Sequence, residues 1–173
     1  RYQLGDEPYV LSVGTVQPRK NYERLVEAFH RLDRADIKLV IAGGKGWLND
    51  PLYERIDALK LRDRVVMAGF VDDADLPALY SGAHVFAFPS LYEGFGLPPL
   101  EAMACGLPVV SSNTSSLPEV VGDAALCVDP YSVDELADAL RKAIDDEILR
   151  RDLIDKGYRR ARQFTWSAAA RQL

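Results

Sequence analysis

Glu93 and Glu101 stand eight positions apart, separated by Gly94, Phe95, Gly96, Leu97, Pro98, Pro99 and Leu100. An apolar run, 85–88, delivers this stretch, so the first carboxylate falls in a loop and the second in the opening turn of a helix. The amides of residues 94–97 can face an anion at that helix entrance, where the backbone dipole favours negative charge. The two prolines withhold donors only at their own positions. A carboxylate at Glu101 can accept both hydroxyls of a ribose diol, and Glu93, further out, can meet hydroxyls of a second sugar. The plainer reading makes Glu101 a dipole partner and Glu93 a surface residue. Spacing alone leaves both open.

A second cluster lies near the start of the chain. Gly14 closes an apolar run, and Thr15-Val16-Gln17-Pro18-Arg19-Lys20 leads to Asn21, a residue suited to capping a helix. Arg19 and Lys20 beside a helix N-terminus make a diphosphate clamp that needs no metal, or else an ordinary solvated basic turn. Other candidates are weaker. Gly43-Gly44-Lys45-Gly46 lacks Walker spacing and fails GxGxxG at Asn49, leaving a close ligand approach or a plain strand-to-helix turn. Asp73-Ala74-Asp75 is a DxD that reads better as acidic capping of the next helix than as a cation site. His30 and His84 keep no metal-ligand spacing with a cysteine and receive no role.

These residues need elements to hold them. Short apolar runs at 9–13, 37–42, 65–68, 84–88, 107–111 and 124–128 alternate with helical patterns at 21–32, 52–61, 72–83, 98–105, 115–121 and from 133 onward. Ser132-Val133-Asp134-Glu135 has the form of a capping box. The pattern predicts an α/β domain with a doubly wound, Rossmann-like parallel sheet of about six strands, covered on both faces. Ligands of such sheets bind beyond the carboxyl ends of the strands, and each candidate loop follows a strand.

Composition narrows the classes. The chain has 173 residues, 48% of them hydrophobic, and a net charge of −5, enough for one core and a mild argument against nucleic acid or an anionic membrane as partner. Neither a membrane span nor a signal peptide is legible. Cys105 and Cys127 sit in apolar stretches and read as buried thiols of a reducing compartment. The basic cluster Lys156, Arg159, Arg160 and Arg162 reads as a solvated face rather than a membrane patch. The chain opens on Arg1 and stops within a helical pattern, as a fragment of a longer protein would.

EGFGLPPLEAMACGLPVV resembles the E-x7-E signature of retaining family-4 glycosyltransferases of the two-domain GT-B fold. VGTVQPRKN is similar to that family's first-strand loop, and SSLPEVVGDAALCVDPYSVDELADAL to a later segment. The resemblance runs over nearly the whole chain in the right order. It implies that residues 1–173 form one nucleotide-sugar-binding domain, the C-terminal half of a GT-B protein, without the N-terminal half that carries most of the acceptor site. It implies Glu101 at the ribose, Glu93 at the donor sugar and needed for transfer, Lys20 at the diphosphate, and Gly94, Phe95, Gly96 and Leu97 around the phosphates. Many members carry arginine directly after the strand-one glycine; here Gly14 is followed by Thr15, and Arg19 is the substitute cation. The base would be read by the loop Gly69-Phe70-Val71.

The chemistry implied is transfer of a sugar to a hydroxyl with retention, the leaving phosphate taking the acceptor proton. The donor is a GDP- or UDP-sugar, with a lean to mannose from GDP-mannose, and neither metal nor other cofactor is required. The partners implied are the N-terminal half and a glycan or lipid-linked acceptor. The place implied is the cytoplasm, or the inner face of the membrane for the full-length protein. Residues 165–173 would start a helix that crosses back to the other half. An epimerase or phosphorylase on the same fold, and a non-catalytic nucleotide-binding module, are the competing readings. The paired first-loop and E-x7-E segments disfavour the former, and retention of both glutamates disfavours the latter.

Overall fold

The computed structural model describes residues 2, 4, 5, 7–46 and 50–164. Six strands, β1 (Tyr9–Val13), β2 (Lys38–Ala42), β3 (Val65–Gly69), β4 (Val85–Phe88), β5 (Val109–Ser112) and β6 (Ala125–Val128), form one sheet in the order β3-β2-β1-β4-β5-β6. Every pairing is parallel. Among the described residues seven α-helices connect and cover them: α1 (Tyr22–Arg31), α2 (Asp50–Ala58), α3 (Leu76–Gly82), α4 (Leu97–Ala104), α5 (Leu117–Val121), α6 (Val133–Asp145) and α7 (Glu147–Ala161).

Side chains alternate across the strands, and the alternation builds two cores. Val10, Leu39, Ile41, Val85, Ala87 and Val110 face α1, α2 and α6. Leu11, Val40, Ala42, Phe86, Phe88 and Val109 face α3, α4 and α5. In α1, Leu25, Val26 and Phe29 are fully enclosed, each contributing roughly 1.5–3 kcal/mol over an exposed position. The central strands are unbroken apolar runs because both faces are covered. The outer strands β3 and β6 are only partly enclosed, and Cys127 on β6 is exposed, correcting its expected burial. Cys105 is half-buried.

Several boundaries differ from the sequence reading for local reasons. Gly96 takes a left-handed turn (φ +102°) and closes the loop two residues before the first proline, so α4 starts at Leu97. Glu101 therefore lies in the second turn, not the first. Asn21 precedes α1 as expected, but in a left-handed conformation (φ 61°) and without a side-chain cap. Ser132 does cap α6, accepting from the Glu135 amide at 3.2 Å, while the Glu135 carboxylate accepts from the Asp129 amide at 3.1 Å rather than reaching back to Ser132. Asp75 occupies the N-cap position of α3 without capping it; its carboxylate accepts from the Tyr2 hydroxyl at 2.6 Å. The helix anticipated from residue 165 lies outside the described residues.

Candidate functional site

β1 and β4 are adjacent in the sheet, but the connections that follow them diverge. The first turns into α1 on one face and the second into α4 on the other. At such a reversal the two loops separate and leave a crevice beyond the strand ends. The Gly14–Asn21 loop forms one wall and the Pro89–Gly96 loop the other. Both stretches singled out by sequence converge here.

The two walls meet through charge. Lys20 Nζ lies 2.7 Å from Glu93 Oε1, and Arg19 Nη1 lies 2.7 Å from Glu93 Oε2. Glu93 and Lys20 are buried, while Arg19 reaches solvent. Lys20 Nζ also sits 4.4 Å from the centre of the Phe88 ring. Glu93 is thus no surface residue standing further out: it is wedged between the two cations that were expected to form an open clamp. Burial alone would raise its carboxyl, but hydrogen bonds from Lys20 and Arg19 outweigh that and hold it below the usual carboxylate range. Lys20 fares differently. Burial pushes its ammonium down more than Glu93 holds it up, and Arg19 adds a smaller push in the same direction as burial. Two cations share one carboxylate, and the cluster keeps one unbalanced positive charge.

Residues without charge hold this cluster in register, and sequence reasoning assigned them no such part. The Asn21 side chain, buried, donates to the carbonyls of Pro89 at 3.0 Å and Pro130 at 2.7 Å, tying together the loops that follow β1, β4 and β6. The Leu91 amide donates to the Arg19 carbonyl at 2.8 Å. From the last residue of β5, the Ser112 hydroxyl donates to the Ser90 carbonyl at 2.6 Å. Ser116 donates to the carbonyls of Glu93 and Phe95 at 3.1 and 2.9 Å. The Glu93 amide in turn donates to Ser115 Oγ at 3.0 Å. The run Ser111-Ser112-Asn113-Thr114-Ser115-Ser116 after a buried strand was the available signal.

Glycines let the loops approach. Lys20 lies over Gly14, where a Cβ would stand 2.7 Å from Lys20 Cε. A Cβ on Gly43 would overlap the Gly14 carbonyl, and one on Gly46 would overlap that of Val16. The glycine run after β2 therefore serves loop-to-loop contact, supported by the bridge between Val16 and Lys45.

The remaining candidates are arranged around the crevice. Among the described residues, no protein group hydrogen-bonds the amides of Gly94, Phe95, Gly96 or Leu97. Phe95 and Leu97 side chains are exposed, whereas Gly96 is buried against Leu117. Thr15 is exposed at the mouth of the first loop. Glu101, exposed on α4, does not join the Lys20 cluster; its Oε2 accepts from the Tyr80 hydroxyl at 2.8 Å. Val71 is buried in the core beneath α3, while its neighbour Phe70 is 74% exposed. His30 is exposed on α1, away from this crevice. Among the described residues, no group of three His, Cys, Asp or Glu could hold a metal ion, and no helix is long and apolar enough to cross a membrane.

Comparison with known proteins places this geometry in a group. Residues 2–160 match the family model of glycosyl transferases group 1. The O-antigen chain mannosyltransferase B of Escherichia coli is 42% identical, over 99% of this chain and 46% of that protein. The C-terminal domain of a group 1 family glycosyl transferase (LpcC) from Francisella tularensis superposes with a TM-score of 0.81 at 26% identity, covering 94% of this chain and 89% of that one. HepE from Anabaena, in complex with UDP-glucose, gives a TM-score of 0.84 at 25% identity, covering 93% of this chain and 46% of that one. The chain spans less than half the length of the mannosyltransferase and of HepE.

Proposed function

The chain belongs to the glycosyl transferases group 1, and from that premise we propose that it is the donor half of a retaining hexosyltransferase, binding a nucleoside-diphosphate sugar at the β1/β4 crevice. One observation carries the reading: Arg19, Lys20 and Glu93 meet across the switch point with one positive charge left over, beside amides 94–97 that no group among the described residues uses. A diphosphate supplies the missing negative charge and the acceptors for those amides.

The residues then take distinct parts. Lys20, Arg19 and the amides of Gly94, Phe95, Gly96 and Leu97 stabilise the departing diphosphate, whose charge grows as the glycosidic bond breaks. No metal ion is needed for that task. Gly14 lets Lys20 lie flat over the strand end, and Thr15 lines the mouth beside it. Glu101 accepts the ribose hydroxyls, and the backbone around Val71 contacts the base.

Glu93 lies beside the transferred sugar. Both of its oxygens are engaged by cations, so it is a poor nucleophile for double displacement; orienting the sugar hydroxyls suits it better. Retention then follows a front-face route in which the leaving phosphate accepts the proton of an incoming hydroxyl. The acceptor, a glycan or lipid-linked sugar, is held by the N-terminal half, and the full-length protein works in the cytoplasm or at the inner face of the membrane. The similarity to the mannosyltransferase supports mannose as the sugar; GDP is our choice of carrier, and the HepE complex is with a UDP-sugar.

Thermal unfolding of this chain with GDP, UDP and ADP, each with and without EDTA, tests the reading. A ligand that binds only the folded state adds about 2.7 kcal/mol at a hundred times its Kd. One diphosphate raises the midpoint clearly, GDP the favourite, and EDTA leaves the shift unchanged. No response to any of the three would overturn donor binding by this chain.

A further inference from the structure

Among the described residues three tyrosines are buried, Tyr9, Tyr22 and Tyr80, and the hydroxyl of one is treated differently from the other two. Tyr9 donates to the carbonyl of Leu79 at 2.6 Å, and Tyr22 to that of Gly14 at 2.9 Å. A main-chain carbonyl is the ordinary partner for an enclosed phenol. Tyr80, one position further along α3, is 2% exposed, with its ring edge-on to Phe86 at 5.5 Å. Its hydroxyl instead donates at 2.8 Å to Oε2 of Glu101, a side chain on the neighbouring helix that reaches solvent.

An exposed glutamate on a helix surface otherwise samples several rotamers, and fixing one of them costs binding free energy when a ligand demands it. Tyr80 removes that cost in advance from a rigid, fully packed base. Its phenol stays protonated, because burial first and the Glu101 charge second push its ionisation well above the ordinary tyrosine range. The donor therefore persists across the working pH range. The loop Gly69–Val71 feeds the helix that carries Tyr80, so the same short segment joins the base-reading backbone to the ribose carboxylate.

We propose that Tyr80 is a positioning residue for the donor nucleoside: it pins Oε2 of Glu101 so that Oε1 is presented to the ribose diol, and it thereby sets preference for ribo- over deoxyribonucleotides. This rests on the ribose assignment of Glu101 made above, and the test separates the two. Dissociation constants are measured by calorimetry for the stabilising nucleoside diphosphate and for its 2′-deoxy and 3′-deoxy counterparts. The proteins compared are the unmodified chain, Tyr80→Phe and Glu101→Ala.

Tyr80→Phe keeps the ring and its contact with Phe86 and removes only the hydroxyl. It lowers the ribo-to-deoxyribo affinity ratio by about three- to tenfold, the scale of one net hydrogen bond, and leaves affinity for the deoxy compounds unchanged. Glu101→Ala abolishes the ratio. If Glu101→Ala abolishes it and Tyr80→Phe keeps it in full, the positioning role is wrong and the ribose assignment stands. An equal loss for ribo and deoxy ligands in Tyr80→Phe marks a merely structural tyrosine and also overturns the role. If Glu101→Ala keeps the ratio, the ribose assignment falls and the role of Tyr80 falls with it.

Discussion

Glu93 and Lys20 look like equal partners in one buried ion pair, yet their surroundings make them unequal. Glu93 keeps Arg19 as a second cation when Lys20 is lost, whereas Lys20 has no second anion among the described residues when Glu93 is lost. Removing one member of a buried pair is expensive chiefly because the other is left uncompensated. Glu93→Ala is therefore expected to destabilise the chain by about 3 kcal/mol, and Lys20→Ala by clearly less, in urea titrations. The same imbalance has a binding signature. With Glu93 gone, a diphosphate is the natural counter-ion for both cations, so the stabilising nucleotide raises the midpoint of Glu93→Ala more than that of the unmodified chain. Equal costs for the two variants, or a smaller nucleotide shift in Glu93→Ala, would refute this division of labour. The contact itself was not legible in sequence. Composition supplied two cations and two carboxylates, but Glu93 and Lys20 lie 73 positions apart, and only strand order brings them together.

Loop geometry at the ends of β1 and β2 decides whether that contact forms. Gly14 and Gly43 press backbone to backbone, with the Gly14 amide donating to the Ala42 carbonyl at 2.8 Å and the Gly43 amide to the Gly69 carbonyl at 2.7 Å. A methyl group at position 43 has only main-chain atoms of Gly14 and Thr15 to push against, and backbone yields less readily than a side chain. Gly43→Ala should cost about 1–3 kcal/mol and shift the first loop, weakening nucleotide binding along with stability. Gly44→Ala is the internal control, since its Cβ meets no neighbour within 4 Å. Equal behaviour of the two variants in denaturation and binding would show that the close approach is unimportant. At this scale the sequence was readable where a rule is local. Alternating apolar runs marked all six strands, and Ser132 followed by Glu135 marked the start of α6. It was silent where a side chain acts at a distance. Asn21 sits where a cap is expected, and its amide group serves two other loops instead.

The strand order β3-β2-β1-β4-β5-β6 turns these separate loops into one site. Alternation of strands and helices implied a parallel sheet, but not which strand lies beside which; the order is a property of the assembled sheet. On the proposed reading, a ligand in the crevice would touch segments far apart in the chain and little else. Backbone hydrogen exchange of the whole chain, with and without the stabilising nucleoside diphosphate, reads this directly. Binding should slow exchange in two separated stretches, residues 14–21 and 90–97, and in the loop of residues 69–71 if the base is held there. The amides of β1 and β4, bonded between central strands, are already slow and change little. The turn between α6 and α7 at residues 145–148, on the far side of the assembly from the strand ends, stays unchanged because no site residue touches it. Protection confined to one of the two stretches would mean that the ligand does not bridge the switch point. Protection at the α6–α7 turn instead would move the site off the carboxyl edge of the sheet, and the assignments of Lys20, Arg19, Glu93 and Glu101 would fall together.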